Sequence, residues 1–247
     1  MKKIFLFAAA CMAALSASAQ YIPTTVGTQA TYSTKSVEFE WDLTSTQSVT
    51  GATVGENDVL TVGLQVVSNV PGNEFSKTTF ESTCTYNPAN DVTTYTELDG
   101  DTFKKFIMDM LIEAAESQGQ LVTADQKAEL AKELNPRGSL FITIDPKAAE
   151  GSVQKDCTLS MNMGQGRMLM KWGKITFVGT EEVTVPAGTF TCLKYTYTLT
   201  EIMGEAPSKK FVTTWFAKGV GCVKEETADK KGNVTETKTL TTFTAAE

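Results

Sequence analysis

Apolar and polar residues alternate through most of the chain, the period-two pattern of half-buried strands. In Glu38-Phe39-Glu40-Trp41-Asp42-Leu43 the residues Phe39, Trp41 and Leu43 fall on one face. Stretches 59–67, 75–86 and 92–98 follow, separated by the turn-forming runs Asn69-Val70-Pro71-Gly72-Asn73 and Asn87-Pro88-Ala89-Asn90-Asp91. The pattern resumes at 140–144, 155–163 and 167–178. It continues at 182–185, bends at Pro186-Ala187-Gly188 into 190–200, and runs on through 210–217, 220–226 and 234–243. Segments 51–57, 218–219 and 230–233 predict further turns.

Between these two sets the period changes. Phe103, Phe106, Ile107, Met110, Leu111 and Ala114 lie on one stripe of an amphipathic helix, which Asp101 or Thr102 can cap and Gly119 can end. A second helix starts at Thr123 with Gln126 completing a capping box. Leu130, Ala131 and Leu134 give it an apolar side, and Asn135-Pro136-Arg137-Gly138 ends it. Roughly a dozen strands in sequence, with one helical hairpin inserted near 101–135, predict a mainly β (α+β) protein built as an antiparallel meander. The use of threonine at 38 of 247 positions agrees with strands, which favour β-branched residues.

The first residues add a processing signal. Met1-Lys2-Lys3, an apolar run from Ile4 to Leu15 and the small residues Ala17 and Ala19 have the layout of a secretory signal. The run is too short to span a bilayer, which needs about 20 residues. Cys11 after Ala9-Ala10 resembles a lipoprotein site, but only Ile4 to Ala10 would then precede it. The expectation is a signal peptide at 1–19, a single domain at 20–247, no transmembrane segment, and a periplasmic or extracellular location. Removing Lys2 and Lys3 lowers Lys+Arg from 22 to 20 against 29 acidic residues, a change in net charge from −7 to −9. That balance argues against nucleic acid as a partner.

The chain has no histidine, which excludes triads and zinc sites that depend on one. Four cysteines follow the signal, Cys84, Cys157, Cys192 and Cys222, with no CxxC spacing. In an exported chain they allow up to two disulfides. Cys84 and Cys157, both on apolar strand faces, are the expected pair. Ser152-Val153-Gln154-Lys155 has the SxxK spacing of acylating serine enzymes, but the companion SDN and KTG motifs are missing. Adjacent acids such as Glu181-Glu182 point to opposite strand faces and cannot flank one sugar bond. Neither catalytic residues, nor metal ligands, nor a cofactor site emerges.

The densest local feature is the segment 157–172. A Gln165-Gly166 loop would set Met163 opposite Met168, Met161 opposite Met170 and Leu159 opposite Trp172, all on one face with Cys157. This methionine-rich face reads as core beneath the helices, as an adaptable apolar ligand site, or as a thioether site for Cu(I). The candidate ligand residues are Leu159, Met161, Met163, Met168, Met170 and Trp172, with Phe103, Phe106, Ile107 and Met110 packing on them from the first helix.

From about Gly138 the chain resembles the TapB-like group of uncharacterised exported bacterial proteins, whose fold is related to the lipoprotein carrier LolA. The matching residues are Glu182-Val183-Thr184-Val185-Pro186-Ala187-Gly188-Thr189-Phe190-Thr191-Cys192 and Trp215-Phe216-Ala217-Lys218-Gly219-Val220-Gly221-Cys222-Val223-Lys224. The resemblance covers about half the chain and implies a strongly curved antiparallel half-barrel with helices across its concave face. In related folds that space holds an acyl chain. The resulting expectation is an exported, non-enzymatic protein of unknown role binding an apolar or lipid-like molecule between sheet and helices. The alternative is a structural or envelope-interaction protein with a filled core and no ligand.

Overall fold

A computed structural model of the protein describes residues 20–37, 41–69, 78–163, 166–203 and 207–246. The segment 1–19, read above as a signal, lies outside the described residues, as do Cys11 and Phe39.

Twelve strands run in chain order: β1 (Gln29–Ser36), β2 (Trp41–Val54), β3 (Leu60–Asn69), β4 (Thr78–Asn87), β5 (Val92–Asp99), β6 (Arg137–Ile144), β7 (Cys157–Met163), β8 (Gly166–Val185), β9 (Gly188–Met203), β10 (Pro207–Ala217), β11 (Gly221–Ala228) and β12 (Val234–Thr244). Each pairs antiparallel with its neighbours in sequence, and β1 also pairs with β12, from Gln29↔Thr244 to Ser36↔Glu236. The sheet is therefore a closed barrel, not the half-barrel expected from the resemblance. The correction rests on β1, which is bonded along both edges, to β2 and to β12. Closure leaves no open edge along the ring. Irregularities at Thr31/Tyr32, Val49/Gly51, Thr96/Leu98 and Gly173/Thr176 break the register and let the strands bend round the ring.

Between β5 and β6 stand α1 (Gly100–Ser117) and α2 (Ala124–Glu133). Asp99, rather than Asp101 or Thr102, caps α1, accepting from the Thr102 N–H at 2.9 Å and the Thr102 hydroxyl at 2.8 Å. The Thr123–Gln126 capping box of α2 forms as the sequence predicts. α1 lies over the barrel end where β5 finishes, against β4, β5, β6 and β7, and buries Phe103 and Ile107. α2 has no buried residue; it packs on α1, and its Leu130 reaches the edge of the core. α1 makes the closer cover over the barrel.

The opposite end is plugged by the segment before β1. Ile22 is fully buried, the Tyr21 N–H donates to the Thr93 hydroxyl, and the Gly219 N–H donates to the Gln20 carbonyl. Above this floor Tyr195 contacts Phe177 and Phe216, with ring centroids 5.2 and 6.4 Å away. A second cluster joins Val183 and Val185 of β8 to Trp215, Val223 and Leu240. The Trp215 indole donates to Glu181, and its ring lies 5.2 Å from the ammonium groups of both Lys194 and Lys224.

All four cysteines in the described residues are free thiols and buried, so the expected Cys84–Cys157 bridge is absent. Cys84 lies on β4 and Cys157 on β7, with β5 and β6 between them. Three strand spacings amount to about 14 Å, twice the Cα separation a disulfide can span. Cys157 has another role. Only Arg137↔Ser160 and Gly138↔Leu159 pair β6 with β7. Beyond them the seam is held by side chains. The Cys157 sulfur accepts from the Phe141 N–H at 3.5 Å and donates to the Phe141 carbonyl at 3.4 Å. The Gln154 amide accepts from the Thr143 N–H at 2.9 Å and donates to the Thr143 carbonyl.

Candidate functional site: an interior chamber beneath the first helix

The β7–β8 hairpin keeps the expected face but not the expected register. Met161 pairs with Met168, Leu159 with Met170, Cys157 with Trp172 and Met163 with Gly166. Gly166 pairs within the ladder and so is not part of the expected Gln165-Gly166 loop; residues 164 and 165 lie outside the described residues. Each partner moves by two positions, so the face is preserved. Leu159, Met161 and Met168 are 0, 1 and 4% exposed, Trp172 is buried and Met170 half-buried. With Phe103 and Ile107 they belong to one packed core. The side chain of Met163 lies outside what is described. Phe106 packs against the edge of that core and, with Met110, lines an outer groove.

The unfilled space lies on the other side of the barrel interior. A chamber of about 160 Å³ is bounded by β1, β2, β3, β4, β5 and β12. Val66, Phe80, Leu98 and the Tyr95 ring give it an apolar wall. Its other lining is polar: Tyr32, Ser45, Gln47, Ser82, Glu97 and Lys238. A small void of about 10 Å³ adjoins it, sharing Tyr95, Glu97 and Lys238 and adding Tyr197 and Glu225. Outside, a groove of about 440 Å³ runs between α1 and β4, lined by Phe80, Phe106, Met110 and Lys105 with the acids Glu81, Asp109 and Glu113. Phe80 lines both groove and chamber, its ring 4.6 Å from that of Phe106.

Most chamber groups are tied to the wall. The Tyr32 hydroxyl donates to the Cys222 carbonyl at 2.9 Å, and the Gln47 amide donates to the Tyr95 hydroxyl at 3.4 Å. The Tyr197 hydroxyl donates to Glu225 at 3.4 Å, with its ring 4.5 Å from Trp172. The Lys238 ammonium sits 4.9 Å from the Tyr32 ring. Ser45 and Ser82 differ. Each residue is 6% exposed and lines the chamber, yet among the described residues neither hydroxyl has a hydrogen-bond partner.

Burial pushes the Glu225 carboxyl up to about 7, the nearby Lys238 charge opposing the shift and Glu97 and Glu236 adding to it. Burial disfavours charge on Lys238, but the carboxylates of Glu97 and Glu225 outweigh it and the pKa is raised. Lys238 therefore stays cationic. Glu97 and Glu225 thus bring two carboxyl groups to the paired voids against the one ammonium of Lys238.

None of Ser45, Ser82, Glu97, Glu225 and Lys238 stands out as a motif. One signal for them exists in β12, where Thr235-Glu236-Thr237-Lys238-Thr239 alternates between charge and threonine. A barrel strand of that kind must border a polar interior.

Comparison with known proteins adds the fold context. Residues 143–240 match the DUF3108-like family. No curated protein matches. A crystal structure from Bacteroides fragilis NCTC 9343, described as an exported protein with a YmcC-like fold, is 16% identical. It covers 92% of this chain and 99% of its own, with a TM-score of 0.66. A protein from Parabacteroides distasonis ATCC 8503, described as a lipoprotein, is 17% identical over 92% of this chain and 99% of its own, with a TM-score of 0.63. Neither the TapB-like nor the LolA relation is among these matches. No helix among the described residues is long and apolar enough to cross a membrane. At these identities the two structures share this chain's fold, and the family match extends over its second half.

Proposed function

We propose that this is an exported, non-enzymatic binding protein that holds a small amphipathic, lipid-like molecule inside its barrel beneath α1. The observation that carries the reading is the unfilled chamber of about 160 Å³ within an otherwise packed barrel, with Val66, Phe80 and Leu98 on one wall. An apolar chain laid along Phe80 and Phe106 would leave water on both sides, and its polar end would reach groups fixed on the barrel wall. The export signal at 1–19 and the descriptions of the two structural neighbours support a location outside the cytoplasm. The test is titration with the apolar fluorophore N-phenyl-1-naphthylamine, together with native mass spectrometry of protein taken from its own host. Saturable one-to-one binding, or a co-purifying lipid-like species, is expected. An absence of both would return the protein to the filled-core structural reading.

A further inference from the structure

We propose that the polar end of the ligand is an amine, bound as its ammonium by Glu97 and the hydroxyls of Ser45 and Ser82 in the chamber; this rests on the interior-binding reading above.

Three independent features converge on it. The first is charge. Glu225 and Lys238 are register partners across β11 and β12, and the Lys238 ammonium also feels the Glu97 carboxylate, so one cation serves two carboxyl groups. Glu97, the residue out of register at the Thr96/Leu98 irregularity, is exposed and lines both voids. Two carboxyl groups thus share one ammonium, and an incoming cation balances the second where an incoming anion would add to the excess.

The second is the pair of hydroxyls that open onto the chamber. Ser45 and Ser82 stand on β2 and β4, both turned to the chamber and both without a partner. A hydroxyl oxygen has lone pairs for an ammonium N–H, and three N–H groups match one carboxylate and two hydroxyls. The third is the lining of rings. Tyr32 and Tyr95 border the same space, and aromatic faces attract cations. Lys238 already sits on the Tyr32 ring in this way. The approach has the same sign. The outer groove carries Glu81, Asp109 and Glu113 against Lys105, which is paired to Asp109 at 2.7 Å. A negative groove draws in cations and repels carboxylate lipids.

The experiment compares dodecylammonium, dodecanoate and dodecan-1-ol by isothermal titration calorimetry at pH 8, below their micelle concentrations. Dodecylammonium is expected to bind at least tenfold more tightly than dodecanoate. In Glu97→Gln the ratio of ammonium to alcohol affinity should fall by about tenfold. In Ser45→Ala with Ser82→Ala, dodecylammonium should lose its advantage over dodecyltrimethylammonium, which has no N–H to donate. Dodecanoate binding as tightly as the amine overturns the inference, as does an ammonium-to-alcohol ratio unchanged in Glu97→Gln. Alcohol binding without any preference for the amine removes this inference and leaves the interior-binding reading standing. If none of the probes binds, both fall. The comparison on the unaltered protein decides the question even if a variant does not fold.

Discussion

Glu225 and Lys238 face each other across the β11–β12 ladder, a carboxyl and an ammonium in register inside a β-barrel. The groups facing them are Glu97 from β5, Tyr197 from β9, Tyr32 from β1, Cys222 from β11 and Glu236 from β12, and Tyr95 lines the same void. Glu225 is raised from 4.5 to about 7, so between those values the folded protein binds a proton that the unfolded chain releases. Its contribution therefore weakens as pH rises through that window. The melting temperature should fall between pH 5 and pH 8 more steeply in the unaltered protein than in Glu225→Gln. Differential scanning calorimetry of both across that range checks it, and equal slopes would contradict the assignment.

Gly138 occupies the seam where β6 meets β7. Its φ is +84°, and a Cβ there would sit 2.1 Å from the Thr158 carbonyl oxygen. Gly151 has a similar φ of +80° but open space around it. Gly138→Ala should cost more than about 2 kcal/mol, or prevent folding, while Gly151→Ala should cost about 1 kcal/mol from backbone strain alone. Urea unfolding of the two variants separates the clash from the strain.

Gln154 replaces a strand's backbone at that seam. Gln154→Ala leaves the Thr143 N–H and carbonyl without their partner. A loss of about 1–3 kcal/mol is expected. Hydrogen exchange at the Thr143 amide should accelerate more than at Ile142 or Ile144, which reads the local opening directly.

Met161 and Met168 stand opposite one another, 1 and 4% exposed. As packed core, Met161→Ala should cost about 2–5 kcal/mol. Combined with Met168→Ala the cost should fall short of the sum, because the two share one space. Chemical denaturation of the two single variants and the double variant tests this.

What was legible in the sequence was local. Thr123 and Gln126 capped their helix as read, because a capping box involves four adjacent residues and no tertiary partner. The common face of Leu159, Met161, Met168 and Trp172 was legible because alternation survives a shift of register by two. The register itself was not legible, because the alternation reads the same after such a shift. The long-range pairings were hidden. Nothing in Gln29–Ser36 marks it as bonding to 236–244, so the sequence does not distinguish the closed ring from the open half-barrel that the resemblance implies. The Cys84–Cys157 pairing failed for a related reason: inward-facing residues on one curved sheet can still be three strands apart. The chamber was hidden because its groups come singly from β2, β4, β5, β11 and β12, with no spacing to connect them.

The β1–β12 junction also governs when this molecule can exist. A ribosome delivers the first strand long before the last, and β1 cannot complete its second ladder until residues 234–244 have been made. For most of synthesis the nascent sheet has two bare edges, and the contact that joins them spans about the whole length of the chain. High contact order of this kind slows folding, and bare edges invite pairing between chains. The ring is therefore a late, all-or-nothing event, and a chain cut short by its last dozen residues is not a slightly smaller barrel but a sticky open ribbon.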